Sequence, residues 1–273
     1  MEKFSVLMSV YSGENAAFLH RALESITYQQ SVQPDEIILV EDGPLTAPLY
    51  VTINDWANVL GSRLICVPLP ENRGLGFALR IGMRHCNNEI IARMDSDDIS
   101  LPDRFEKQLE VFAQTDVDVC SSWVSEFVDN ERHIVSYRRV PERHDDIVHL
   151  LKLRNALNHP ATMYKKSSVQ KAGDYQSMNF FEDYYLWIRM AMSGSKFYNI
   201  QQPLVNMRFG PDQLKRRSGF KYAKVEYVFI RKLHQIGYLD DLEFIRNLFL
   251  RITPRIVPHR AFMRFYKLLR KLN

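Results

Sequence analysis

EIIARMDSDDISLP, residues 89–102, is a short apolar run that ends abruptly in three carboxylates. Ile90, Ile91, Ala92 and Met94 have the length and character of a buried strand, and Asp95, Asp97 and Asp98 follow where the chain leaves it. Alternation along an extended chain lets Asp95 and Asp97 point toward one site. Acids this crowded repel one another, and a divalent cation, ligand hydroxyls or solvent must compensate them. Taken alone, the stretch reads equally as a solvated acidic loop.

Its neighbours decide between these readings. FSVLMSV (4–10) is a hydrophobic run of strand length followed by a turn at Ser12-Gly13-Glu14-Asn15, where Asn15 can cap a helix carrying Phe18, Leu19, Ala22, Leu23 and Ile26 at helical spacing. EIILV (36–40) is a second buried strand that also ends in acid, Glu41-Asp42 before Gly43-Pro44, and a third strand is expected at 63–67. In ENRGLGFALRIGMRHC (71–86) a polar, glycine-containing turn opens the helix that leads into the strand at 90. Strands alternating with helices imply right-handed parallel crossovers, hence an open α/β sheet. Ligands bind at the carboxyl ends of such strands. Val10-Tyr11, Glu41-Asp42 and Asp95-Ser96-Asp97 are therefore expected on one rim. Asn72 to Gly76 lacks the GxGxxG spacing of a dinucleotide fingerprint, although Asn72, Arg73 and Gly74 can still meet a phosphate or sugar.

Beyond residue 102 the pattern is less regular and predicts a mixed, mostly parallel sheet. Pro102-Asp103 opens a helix with Phe105, Leu109, Val111 and Phe112 on its apolar side, and strands are expected at 117–127 and 134–140. LNHPATMYKKSSVQKAGDY (157–175) sets His159, a candidate phosphate or acceptor contact, before Pro160, then a strand, a helix and a glycine stop. FFEDYYLWIRMAMSG (180–194) is a helix with Glu182 and Asp183 in its first turn, where acids can also merely complement the helix dipole. QQPLVNMRFGPDQLKRRSG (201–219) ends a strand and enters a basic loop, with Arg208 and Arg216 as candidate phosphate or acceptor contacts against the alternative of ordinary surface charge.

The 273 residues, 46% of them hydrophobic, suit one sizeable domain at 1–210 with a helical extension at 211–273. Cys66, Cys86 and Cys120 are widely spaced, form no CxxC pair and fit a reducing cytoplasm. Neither a signal peptide nor a run of about 18 apolar residues is expected. The net charge of +4 hides an asymmetry. Residues 211–273 hold 15 Lys and Arg against 5 Asp and Glu, while residues 1–210 hold 21 against 27. Over 260–272, Phe262, Phe265, Tyr266, Leu269 and Leu272 fall opposite Arg260, Arg264, Lys267 and Lys271. That is the pattern of an interfacial helix, or of a tail packed on its own domain.

The acids fit other uses poorly. As a calcium loop, Asp95 to Glu106 fails at its sixth position, where Ser100 replaces glycine, and at its fifth, where Ile99 offers no side-chain oxygen. As a phosphorylated aspartate, Asp95 lies too deep in the chain. A hard cation held by few carboxylates completes its shell with substrate phosphates and water, which suits a nucleotide-diphosphate donor.

Together, SVLMSVY, EIILVEDGP, NRGLGFALRIG, ARMDSDDISLPDRFEKQ, HPATMYKKS and EDYYLWIRM resemble a family 2 glycosyltransferase of the GT-A fold, of the type that assembles bacterial exopolysaccharide, capsule or lipopolysaccharide. The resemblance covers roughly residues 3–210. It implies Asp42, with Glu41, toward the nucleotide base; Asp95 toward the nucleoside with Arg93 and Ser96 beside it; Asp97, with Asp95 and Asp98, on Mn2+ or Mg2+; and Asp183, with Glu182, as the base that deprotonates the acceptor. It further implies an inverting transfer of one sugar from a UDP-linked donor to a lipid-linked saccharide. The protein would then be cytoplasmic, peripheral on the inner membrane face through its basic tail, and without a nucleic-acid partner. Two departures matter. Glu41-Asp42-Gly43-Pro44 stands where two aspartates precede glycine and serine, and Gln213-Leu214-Lys215-Arg216-Arg217 lacks the tryptophan of the processive QxxRW motif. The competing expectations are a sugar-phosphate nucleotidylyltransferase and a non-catalytic sugar or nucleotide binder.

Overall fold

The computed structural model describes residues 2–210 and 219–256. They fall in two compact units divided between Phe209 and Gly210.

The first unit is built on a nine-stranded sheet. β1 (Phe4–Val10) lies between β2 (Glu36–Glu41) and β4 (Ile90–Asp95), parallel to both, and β3 (Leu64–Pro68) continues beyond β2. The sheet then changes character. β8 (Met163–Lys165) runs antiparallel between β4 and β6 (Val119–Phe127). β6 is parallel to β9 (Phe197–Arg208) and antiparallel to β7 (Ile134–Arg138). The two-residue β5 (Ile99–Ser100) closes against β9. The mixed α/β sheet expected from the sequence is present.

β1 and β2 read as unbroken apolar runs because both of their faces are covered. Phe4, Val6, Met8 and Val10 pack with Leu19, Leu23 and Ile26 of α1 (Ala16–Ile26) and with Ile53 and Trp56 of α2 (Ala47–Leu60). Burying each such side chain contributes roughly 1.5–3 kcal/mol. Asn15 caps α1, its Oδ1 accepting from Ala17 N at 2.8 Å. α3 (Leu75–His85) leads from β3 into β4, and α4 (Arg104–Gln114) follows β5. α5 (His144–Leu151), α6 (Lys166–Lys171) and α7 (Glu182–Met192) belong to the second half of the sheet.

The second unit is helical over Gly219–Gln235, Asp241–Asn247 and Thr253–Ile256, with a π-helical turn at Leu248–Ile252. Glu226, 2% exposed, accepts from Arg251 Nε at 2.9 Å and from Arg255 Nε at 3.1 Å. Asp240 and Glu243 form a reciprocal capping box. Among the described residues no helix is long and apolar enough to cross a membrane. The expected amphipathic helix at 260–272 lies outside the described residues.

Candidate active site

β4 ends at Asp95, and the chain turns sharply into β5, which brings one oxygen each of Asp95, Asp97 and Asp98 within 4.8 Å of one another. Asp95 is gripped by both terminal nitrogens of Arg93, whose guanidinium is buried. Asp98 Oδ1 accepts from Arg208 N at 2.7 Å, while its Oδ2 is buried with no hydrogen-bond partner among the described residues. Burial, with the Asp95 and Glu14 charges added, pushes the Asp97 carboxyl up to about 7. Burial and the charges of Asp97 and Asp95 push Asp98 well above the usual carboxylate range. Hard oxygen donors, mutual repulsion and an unsatisfied buried oxygen are the features a divalent cation would resolve, so Mn2+ or Mg2+ fits this donor set.

The second acidic group lies at the end of β2. Asp42 N donates to Val10 O at 2.8 Å. The Asp42 carboxylate accepts from the backbone of the loop before α3, Oδ1 from Arg73 N at 2.8 Å and Oδ2 from Gly74 N at 2.9 Å. Gly43 is obligatory here, because its φ is +85° and a Cβ would lie 2.5 Å from Asn72 N. Glu41 is buried, its carboxyl raised by desolvation, and among the described residues its side chain makes no hydrogen bond. Tyr11, Asn72 and Arg73 are exposed around this loop.

The third group opens α7. Glu182 rests on the first turn of α3, so close that a Cβ on Gly76 would meet Glu182 Cγ at 2.7 Å. Burial raises its carboxyl to about 7, against hydrogen bonding to nearby backbone and with the Asp183 charge adding to the rise. Asp183 Oδ2 accepts from Asn155 Nδ2 at 2.7 Å. Burial raises the Tyr175 phenol, and the charges of Asp183 and Asp95 add to the rise.

Four candidate residues sit differently from expectation. Val10 is fully buried and offers only its carbonyl. Arg93 is 1% exposed and holds Asp95 from behind, so it supports the site without lining it. His159 is interior: its Nε2 bonds the Tyr175 hydroxyl at 3.0 Å, and burial, with the Arg93 charge, holds its pKa well below the usual value. A neutral, enclosed imidazole makes no phosphate contact. Arg208 lies 3.6 Å from the Phe18 ring centre, and its Nε donates to Asp97 O at 3.2 Å, so it braces the triad. Arg216 lies outside the described residues. Ser96 donates to Glu14 Oε2 at 2.8 Å, which brings to the triad an acid whose sequence signal was only a turn. Asn155 gave no sequence signal.

Residues 5–173 match the family model of glycosyl transferase family 2. The chain belongs to that family. It is 38% identical over 257 residues to UDP-Gal:alpha-D-GlcNAc-diphosphoundecaprenol beta-1,3-galactosyltransferase of Escherichia coli, covering 94% of this chain and 92% of the relative. It is 36% identical to the amylovoran biosynthesis glycosyltransferase AmsE of Erwinia amylovora, covering 98% and 99%. Among solved structures, S. aureus TarS 1-349 in complex with UDP-GlcNAc aligns with a TM-score of 0.67 at 14% identity, covering 93% of this chain and 72% of that one. The mannosyltransferase PcManGT of Pyrobaculum calidifontis, in complex with GDP-Man and Mn2+, aligns with a TM-score of 0.64 at 16% identity, covering 92% and 69%. These likenesses make the fold of this family 2 glycosyltransferase GT-A.

Proposed function

We propose that this glycosyltransferase moves one sugar, with inversion, from a UDP-linked donor to a lipid-linked saccharide in surface-polysaccharide assembly. The observation that supports this most is the cluster at the end of β4, where one oxygen each of Asp95, Asp97 and Asp98 lies within 4.8 Å of the others. The donor and acceptor classes are those in the name of the Escherichia coli relative. Asp97 and the open oxygen of Asp98, with Asp95 steadied by Arg93, would hold Mn2+ or Mg2+. When bound, the cation offsets the charge that develops on the departing diphosphate. Asp42 fixes the 73–74 backbone, leaving Glu41 as the neighbouring acid for the nucleotide base. Asp183 accepts the proton of the acceptor hydroxyl as its oxygen attacks the anomeric carbon, and the nucleoside diphosphate leaves with the electron pair of the broken C–O bond.

Asp183→Asn tests the assignment. Turnover falls on the order of 100- to 10,000-fold, while calorimetry finds the binding of UDP with Mn2+ unchanged. Full activity in the variant would remove Asp183 from the role of base.

The second unit is proposed to meet an anionic membrane surface. Leu242 and Phe249 are 80% and 69% exposed, Ile245 is exposed between them, and the chain that follows alternates apolar and basic stripes in sequence. Deleting residues 257–273, which spares the Glu226 ion pairs, is expected to weaken sedimentation with phosphatidylglycerol vesicles. Unchanged sedimentation would dismiss the tail from this role.

A further inference from the structure

We infer that Asn155 is a positioning residue for the acceptor side of the reaction, aligning the Asp183 carboxylate through an uncharged donor. This rests on the assignment of Asp183 as the base. Among the described residues, the Asn155 amide is the side chain that donates to the Asp183 carboxylate, at 2.7 Å. It fixes Oδ2 and leaves Oδ1 to receive a hydroxyl proton. The orientation of the amide is itself determined, since Asn155 Oδ1 accepts from Leu157 N at 3.2 Å. Flipping the amide would set oxygen against oxygen at Asp183 and a donor against a donor at Leu157.

The loop carrying Asn155 is held from several sides. The carbonyl of Leu151 accepts from the Tyr184 hydroxyl at 2.6 Å, and that of Ala156 from Asn199 Nδ2 at 3.0 Å. Asn158, enclosed in the interior, donates its backbone N–H to Ser121 Oγ at 3.2 Å and its amide to Ser122 O at 2.7 Å, and its carbonyl accepts from Ala161 N at 2.9 Å. Tyr184 follows Asp183 on α7, so helix and loop are joined at two adjacent residues. A side chain free to rotate would lose much of the benefit of alignment, and this loop removes that freedom.

The chemistry of the donor matters as much as its place. Asp95 is held by a guanidinium, as suits a carboxylate that must stay ionised. A cation beside a general base would depress its proton affinity by roughly 1–3 pH units, whereas a neutral amide orients it with far less effect. Among the described residues, its neighbour Glu182 and the Tyr175 phenol are titratable groups raised in part by the Asp183 charge, after burial.

The test uses the full chain with UDP-galactose, Mn2+ and a short-chain synthetic GlcNAc-diphosphate lipid. Asn155→Ala is expected to lower kcat roughly tenfold to a hundredfold with UDP affinity and melting temperature close to wild type. Asn155→Asp is expected to move the acid limb of kcat/KM to higher pH, because a second carboxylate makes Asp183 harder to ionise. In an Asp183→Asn background, adding Asn155→Ala is expected to change nothing further. Unchanged kcat in Asn155→Ala, with Asp183→Asn inactive, would overturn the inference and leave the base assignment standing. Parallel loss of UDP binding and turnover would show a merely structural role and also overturn it. Full activity of Asp183→Asn would instead remove the base assignment itself.

Discussion

At the end of β4 three carboxylates are forced together, partly buried, and braced by the guanidinium of Arg93 and the backbone of Arg208. At the start of α7 two carboxylates sit side by side, but their supports are neutral: the Asn155 amide at Asp183 and the first turn of α3 at Glu182. The first arrangement concentrates carboxylates whose mutual repulsion is relieved by protons on Asp97 and Asp98 or by an added cation. The second sets Asp183 against an uncharged donor, while burial raises Glu182. On the proposed assignment, donor-side and acceptor-side chemistry would draw on one residue type and differ through what stands behind it.

The comparison breaks most visibly at Asp97. Asp97→Asn removes a carboxylate from the charged cluster, and turnover is expected to fall on the order of a thousandfold, with UDP binding no longer strengthened by Mn2+ in calorimetry. The same variant relieves repulsion in the metal-free protein. Its melting temperature in EDTA at pH 8 is therefore expected to exceed that of the wild type, a trade of stability against activity. A variant that keeps its Mn2+ dependence would assign the cation to other ligands.

A smaller effect follows from titration. The Asp97 carboxyl titrates near 7 in the folded chain against an ordinary 3.8, so the folded state holds this proton more tightly than the unfolded state. The resulting stabilisation is complete below about pH 4 and is lost as pH rises through 7. The melting temperature of the metal-free wild type, relative to Asp97→Asn, should consequently decline from pH 5 to pH 8. Mn2+ should reverse the decline at pH 8 and have little effect at pH 5, where protons compete for the same oxygens. A difference that stays flat across this window would contradict the raised carboxyl.

The parallel half of the sheet was legible in the sequence because doubly covered strands leave continuous apolar runs, as at 4–10, 36–40 and 90–94, and because Asn15 is a strong cap. The acids at their ends could be read for the same reason. What was not legible depends on distant partners. β5 is two residues long and exists only through pairing with β9, a hundred residues on. α2 and α5 carried no distinct signal: α2 mixes β-branched residues into its pattern and α5 has eight residues. Arg93 read as a ligand contact because strand alternation does not say which face is enclosed, and His159 because a histidine in a turn before proline carries no sign of burial; both are interior. Glu14 and Asn155 enter only through folded proximity, one beside Ser96 and the other beside Asp183.

The smallest expected effect lies at the joint between the two regions. Gly76, in the first turn of α3, is where that helix meets Glu182, while the same loop is held to β2 by Asp42. Alanine in a helix is favoured over glycine by about 1 kcal/mol, yet its Cβ would sit 2.7 Å from Glu182 Cγ and 3.3 Å from Glu182 Cβ. Glu182 can turn aside but its Cβ cannot, so part of the displacement must pass into the first turn of α7. Gly76→Ala is therefore expected to leave urea stability within about 1 kcal/mol of wild type, because propensity and contact oppose each other. The affinity for UDP with Mn2+ should hold, since the β4 cluster is not displaced, and kcat should drop a few-fold as Asp183 shifts relative to the acceptor. If kcat holds as well, Glu182 alone absorbs the methyl group, and the alignment of Asp183 is set from the Asn155 side.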